Sequence, residues 1–258
     1  MKFNLNVIGN IIGILLMING GLMLTAVPFG LYHSESSWTG ILISSLINSA
    51  VGAFLYYRTK DAKNKDLKRR DGYLIVTSSW VCMCLFGMLP YIITGQIPNA
   101  SNAFFETVSG YTTTGATILD DIESLDHSIL YWRSLTQWIG GMGIIVLAVA
   151  ILPFLGIGGM QLFVAEAPVF SLDKLQPRIK ETAKRLWIIY ISFTIILFFI
   201  LWAEGMNLFD AVNHAMTTFA TGGFSTKNAS IGYFESPLIQ YTITVSYTHL
   251  RAHETEAD

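Results

Sequence analysis

Two stretches of the 258-residue chain carry residue types suited to holding a bare cation. The first is Asn102-Ala-Phe-Phe-Glu-Thr-Val-Ser-Gly-Tyr-Thr-Thr-Thr-Gly-Ala-Thr117, and the second is Phe209-Asp-Ala-Val-Asn-His-Ala-Met-Thr-Thr-Phe-Ala-Thr-Gly-Gly-Phe224. They align without gaps at an offset of 107, which puts Gly115 on Gly222, Thr114 on Thr221 and Ala116 on Gly223. A dehydrated monovalent cation needs several oxygen ligands in place of its water. Backbone carbonyls supply them without a full counter-charge that would hold the ion too tightly. Aiming successive carbonyls at one axis requires unusual backbone angles, which Gly reaches at positive φ without steric cost. Gly115 and Gly222 are the natural positions for this, and Thr113, Thr114 and Thr221 bring hydroxyls able to orient the strand. The candidate ion-coordinating residues are therefore Thr113, Thr114 and Gly115 in the first loop and Ala220, Thr221 and Gly222 in the second. A lone Thr-Thr-Thr-Gly-Ala reads as an ordinary turn, whereas two aligned copies favour a paired filter.

The elements around these loops must bring them to one axis. In each copy a helix-compatible stretch, 102–111 or 209–218, leads into the Thr/Gly segment. Such a stretch is too short to span a bilayer, for which about 20 residues are needed, but suits a re-entrant half-helix. Non-helical backbone at membrane depth is tolerated only where it is buried in protein or lines water. The C-terminal ends of the half-helices carry partial negative charge and favour a cation. The repeating unit is thus helix, short helix, extended Gly-containing strand, helix, as sought first in a membrane transporter.

Composition agrees. Hydrophobic residues make up 52% of the chain and charged ones 13%, against about 25% in soluble domains, and mean hydropathy is +0.49. These values exclude a disordered chain, a collagen, a disulfide scaffold and a soluble globule. With net charge −2 there is no basic excess for binding nucleic acid. Cys82 and Cys84, spaced CxC inside an apolar run, read as packing residues of a membrane helix. The fold class expected is an all-α polytopic membrane protein, with helices near 7–28, 38–57, 73–94, 130–152 and 186–203 and a sixth from about Ser236 that looks cut short. The first apolar run lacks an obvious cleavage site and reads as a retained helix.

Arg58, Lys60, Lys63, Lys65, Lys68, Arg69 and Arg70 fill one connection, and Lys174, Arg178, Lys180, Lys184 and Arg185 another, leaving few of the chain's 16 basic residues elsewhere. By the positive-inside rule both connections are cytoplasmic, the N-terminus is inside and the acidic stretch 120–126 faces out. The basic loops serve topology first, with contact to a cytosolic partner or acidic lipid as a second use. After Val245 the sequence turns abruptly polar and resembles a peptide seen when sequencing-adapter read-through is translated. It is set aside, and His249 and His253 with it.

Four motifs stand out: Ser109-Gly-Tyr-Thr-Thr-Thr-Gly-Ala116, Gln137-Trp-Ile-Gly-Gly-Met-Gly-Ile144, Met160-Gln-Leu-Phe-Val-Ala-Glu-Ala167 and Ala220-Thr-Gly-Gly-Phe-Ser225. On these residues the chain resembles the membrane subunit of the Trk/Ktr/HKT superfamily of potassium transporters, most closely the bacterial Trk branch. The resemblance implies tandem helix–pore-loop–helix repeats preceded by an N-terminal transmembrane helix pair. Residues 1–58 would be that pair, 59–71 a basic cytoplasmic loop, 72–152 the first repeat, 153–185 a cytoplasmic connection and 186–245 an incomplete second repeat, with 246–258 the set-aside tail. It also implies potassium uptake across the cytoplasmic (inner) membrane, K+ as the transported ion with no other cofactor, a homodimer in the lipid bilayer and a cytosolic nucleotide-binding regulatory subunit. The family pore takes one loop from each of four repeats and this chain carries two, so it looks like an N-terminal half.

Other residues admit two readings. Gly140, Gly141 and Gly143 either let their helix approach the filter or serve generic helix packing. Arg133 either shapes the field at the pore mouth or snorkels to the interface beside Trp132. Asp120, Asp121, Glu123 and Asp126 either concentrate cations or form a solvated loop. His127 has no partner in view for a metal site. Glu106 and His214, inside the half-helices, are packed or tune the ion path. Gly156-Ile-Gly-Gly159 lacks the strand and spacing of a nucleotide-binding fingerprint. An intramembrane enzyme would need a nucleophile–base pair or carboxylate cluster at membrane depth, and no such constellation converges. A non-transporting assembly subunit is the remaining alternative.

Overall fold

The computed structural model describes residues 5–60, 69–143 and 179–255, and among these every regular element is helical. The first apolar run forms α1 (Leu5–Met23) and α2 (Val27–Tyr32), joined by a 3-10 turn at Leu24–Ala26. The break falls where Pro28, at the start of α2, has no N–H to donate to the preceding turn. α3 (Ser37–Thr59) returns antiparallel to α1. α4 (Arg69–Gly87) and α5 (Leu89–Ile93) form the next apolar span, interrupted at Met88 before Pro90. α6 (Ala100–Tyr111) is the first half-helix, followed by the loop and α7 (His127–Gly141). α8 (Ile179–Ala203), the second half-helix α9 (Leu208–Phe219) and α10 (Pro237–Thr255) complete the described chain.

Among the described residues, four helical stretches are long and apolar enough to cross a membrane: Leu5–Tyr32, Ser37–Thr59, Asp71–Ile93 and Lys184–Ala203. The span expected at 130–152 is described only as far as Gly143; its remainder lies outside the described residues, as do the basic connection over 61–68 and the segment 144–178. α7 ends earlier than its apolar pattern suggests, with Gly143 at φ 66°. α10 begins where expected, yet its helix continues through the polar tail as far as Thr255.

Backbone contact through small residues joins the N-terminal pair. A Cβ on Gly13 would lie 2.7 Å from the Gly52 carbonyl, and one on Gly52 2.6 Å from that of Gly13. In lipid such close approach takes over part of the role that the hydrophobic effect plays in water. Hydrogen bonds then dock the pair on the first repeat. Asn19 donates to Asn48 at 3.1 Å and accepts from the Tyr111 hydroxyl at 2.7 Å, while Trp132 donates to the Gly87 carbonyl at 3.0 Å. All four side chains are buried, where unmet polar groups would be costly.

Candidate ion-conduction site

Asparagines start both half-helices. Asn99 accepts from the backbone N–H of Ser101 and Asn102, and Asn207 from that of Asp210. A side-chain oxygen in this place satisfies donors that the first helical turn leaves open. Tyr111 and Phe219 end the two helices, and the chain then turns identically. Thr113 and Thr114 donate to the carbonyls of Gly110 and Ser109; Thr221 and Gly222 donate to those of Thr218 and Thr217.

These equivalences fix the offset of the repeat at 108. The expected offset of 107 is thereby corrected: Gly115 corresponds to Gly223, Thr113 to Thr221, Thr112 to Ala220 and Thr114 to Gly222. The dihedral angles agree, with φ of 53° at Thr113 and 77° at Gly115 in the first loop, and 49° at Thr221 and 80° at Gly223 in the second. Gly222, expected to supply positive φ, does not. A β-branched residue in the left-handed region is an outlier that costs on the order of 1–3 kcal/mol, and such strain concentrates at functional sites. Here it occurs at the same place twice. Reversing the sign of φ at alternate residues turns carbonyls that would alternate along an extended strand toward one side.

The two loops touch. A Cβ on Gly115 would collide with the Gly222 carbonyl oxygen. That oxygen accepts from Gln137 Nε2 at 2.8 Å, and Gln137 Oε1 accepts from the Phe224 N–H at 3.0 Å. The Gly222 carbonyl is thus committed to a side chain of α7. The Thr221 carbonyl accepts from the Tyr247 hydroxyl at 2.8 Å, but Tyr247 belongs to the set-aside tail and is not counted in the site. Ala220 is buried at the end of α9, where its Cα would lie 2.8 Å from a Cβ on Gly141. Thr114 shares a hydroxyl hydrogen bond of 2.7 Å with Thr112; among the described residues the hydroxyls of Thr113 and Thr221 make none. Thr112, Thr114, Ala116 and Gly223 are exposed on the open side of the loops.

A buried charge pair ties both loops to α7. Arg133 is 1% exposed and donates from Nε to Glu106 at 2.6 Å. Its NH1 donates to the Ser225 carbonyl at 2.9 Å, and its guanidinium lies 3.6 Å from the centroid of the Phe224 ring. Arg133 therefore does not snorkel to an interface. Glu106 also accepts from the Thr117 hydroxyl at 2.9 Å and the Ile118 N–H at 3.1 Å. At the equivalent place in the second repeat, His214 Nε2 pairs with the Ser225 hydroxyl at 3.0 Å. The corrected register thus makes Glu106–Thr117 and His214–Ser225 the same latch, from half-helix to returning strand. The glycine cluster closes the arrangement from below, since a Cβ on Gly140 would collide with the Tyr111 carbonyl. Gly140 and Gly141 thus let α7 reach the ends of both half-helices.

The model of the cation transport protein family matches residues 39–247, most of the chain and both loops. The chain belongs to the TrkH family of cation transport proteins. Over 241 residues it is 45% identical to the Trk system potassium uptake protein TrkH of Escherichia coli K12, covering 92% of this chain and 50% of that protein. It is 39% identical to TrkG of the same organism over 239 residues, covering 92% and 49%. The crystal structure of the potassium transporter TrkH from Vibrio parahaemolyticus is similar with a TM-score of 0.78 and 39% identity, covering 95% of this chain and 49% of that one. The chain spans about half the length of the curated relatives it matches.

Within this TrkH-family chain, sequence reasoning left Gln137 and Asn228 unassigned. Gln137 stands four residues after Arg133, so both project from one face of α7; a polar pair at that spacing in an apolar helix was the available signal. Asn228 joins the two repeats at the loop end by accepting from the Ile122 N–H at 2.6 Å and donating to Asp121 at 2.9 Å. Its backbone N–H also donates to Glu123 at 3.1 Å. Part of the acidic stretch is therefore a brace. Gln137→Leu leaves the Gly222 carbonyl and the Phe224 N–H unpaired in a buried place, at about 1–3 kcal/mol each. In a completed transporter we expect potassium/sodium discrimination to fall while membrane insertion is unchanged, measured by rubidium and sodium flux in vesicles. Undiminished discrimination would remove Gln137 from the site.

Proposed function

We propose that this chain forms one half of a potassium-uptake pore, in which Thr113, Thr114 and Gly115 in the first loop and Ala220, Thr221 and Gly223 in the second present peptide oxygens to the permeating ion, while Gly222, whose oxygen Gln137 holds, fixes the second loop against the first. The observation that carries this reading is the pairing of left-handed residues at the same positions of two touching loops. Ions move down the membrane potential, and one charge crossing 100 mV releases about 2.3 kcal/mol, enough to concentrate the ion strongly. The names of the relatives, Trk system potassium uptake proteins, support potassium as the ion. The exposed side of the loops is where two further loops, supplied by the rest of a longer protein, close the ring.

In this reading the chain lies in the cytoplasmic membrane with its N-terminus inside, as the basic connections favour. It assembles as a homodimer and meets a cytosolic nucleotide-binding subunit, as the family resemblance implies. The test is complementation. Joined to the C-terminal half of E. coli TrkH, the chain should restore growth of uptake-deficient bacteria in low potassium and raise rubidium influx well above background. A chimera that inserts in normal amount and carries no influx would refute the proposal and favour an assembly role.

A further inference from the structure

The sequence alone gives His127 no partners, and the fold supplies two. α2 ends in a tight turn in which Ser34 takes φ 57°, its N–H donates to the Leu31 carbonyl and that of Glu35 to the Gly30 carbonyl. This turn sets His33 and Glu35 side by side, facing the first residue of α7. The His33 and His127 rings stack at 3.6 Å between centroids and 4° between planes. His127 Nδ1 lies 2.6 Å from Glu35 Oε1, and the nitrogen and oxygen donors of the three residues all fall within 4.8 Å of one another. His33 and His127 form part of the wall of a cavity of about 880 Å³ between α2, α7 and α9.

We propose that His33, Glu35 and His127 form a binding site for a borderline divalent transition metal of the Zn2+ class, with water from the cavity in the fourth position. Two imidazoles and one carboxylate suit Zn2+ or Co2+, whereas K+, Mg2+ and Ca2+ prefer all-oxygen shells. A carboxylate capping a helix would account for Glu35 alone, because it accepts from the N–H of His127 at 3.0 Å. It does not account for a second imidazole held against the first beside the same carboxylate. The support behind the ligands is rigid. Ser37 and Ser128 share a hydrogen bond of 2.7 Å directly beneath the turn, and Phe209 packs edge-on against His127 at 4.7 Å. Stacked rings cannot both face one ion, so binding turns His33, which is exposed on its turn and has room to rotate. The bound ion would staple the N-terminal pair to the pore repeat. The proposal is independent of the ion path, since it needs only these three side chains.

The experiment uses the purified full chain in detergent, with His249 and His253 changed to Ala so that they contribute no binding. Zn2+ is titrated against a chromophoric competitor, and Co2+ is followed by its visible absorption. We expect about one Zn2+ per chain, intense four-coordinate Co2+ bands, and a melting temperature that rises with Zn2+. His33→Ala should weaken binding by at least about 100-fold and Glu35→Gln by about 10-fold, while K+ and Mg2+ in excess do not compete. His33 is exposed, so this variant keeps its gel-filtration profile and its melting temperature without metal. Binding that survives both substitutions, or no Zn2+ binding while the cluster exchanges protons only, overturns the proposal.

Discussion

Gly115→Ala should abolish uptake by a completed transporter while leaving the protein in the membrane. Two costs add. The residue sits at φ 77°, where a side chain is disfavoured by about 1–2 kcal/mol. The new methyl would also collide with the Gly222 carbonyl oxygen, and overpacking a tight contact costs typically about 1–3 kcal/mol. The neighbour cannot yield cheaply, because the Gly222 oxygen is held by Gln137 and so by α7. The strain therefore forces the two loops apart at the point where they meet. We expect rubidium influx, normalised to inserted protein, to fall at least about 100-fold, matching a loss of about 3 kcal/mol.

Gly223→Ala supplies the comparison that separates register from bulk. Gly223 shares the left-handed φ of Gly115 but has nothing within 4 Å of an added Cβ. It bears the conformational cost without the collision, so influx should fall about 10-fold, with the loss read in selectivity as well. If Gly115→Ala transports like the parent, the contact between the loops is irrelevant to permeation and the assignment fails.

Much of this architecture could be read in the residues. Half-helices expected at 102–111 and 209–218 are found at Ala100–Tyr111 and Leu208–Phe219, because short helix-compatible runs ended by Thr/Gly leave little latitude. The register of the repeat differs by one residue from the expected one. Two consecutive glycines, Gly222 and Gly223, let either one match Gly115, and an offset of 107 also pairs Thr114 with Thr221. The capping asparagines settle it, since Asn99 and Asn207 are 108 apart; a signal at the helix start outranks a match at its end. The early break of the first helix was likewise marked by Pro28. Long-range partnerships were not legible. Nothing near Arg133 in sequence says that it crosses to Glu106 and Ser225, and nothing near His127 points to His33 and Glu35, because each pairing depends on how separate helices pack.

Neutralising Glu106 alone should harm transport more than removing the whole Glu106–Arg133 pair. Both side chains are buried, and Arg133 reaches the strand on which Gly223 lies through the Ser225 carbonyl. With Glu106→Gln the guanidinium keeps its charge and loses its counter-charge. At an effective dielectric of about 20, an uncompensated unit charge raises a cation's energy by about 1.7 kcal/mol across a separation on the order of 10 Å, or roughly 15-fold in occupancy. Breaking a buried pair from one side adds a folding cost of about 3–5 kcal/mol. Replacing both partners, as Glu106→Gln with Arg133→Met, leaves no stranded charge and preserves most of the volume. Such replacements are often close to neutral in stability. The double variant should therefore be better folded than Glu106→Gln and carry more rubidium per inserted molecule, although both fall below the parent because the links to Thr117 and Ser225 are weakened. Arg133→Met alone leaves a bare carboxylate, which holds the cation rather than repelling it, so uptake should saturate at lower potassium with a reduced maximal rate. Flux measured as a function of potassium concentration separates the three variants. If the effects of the two single substitutions simply add in the double one, Arg133 and Glu106 act independently and the electrostatic account of the filter's support is wrong.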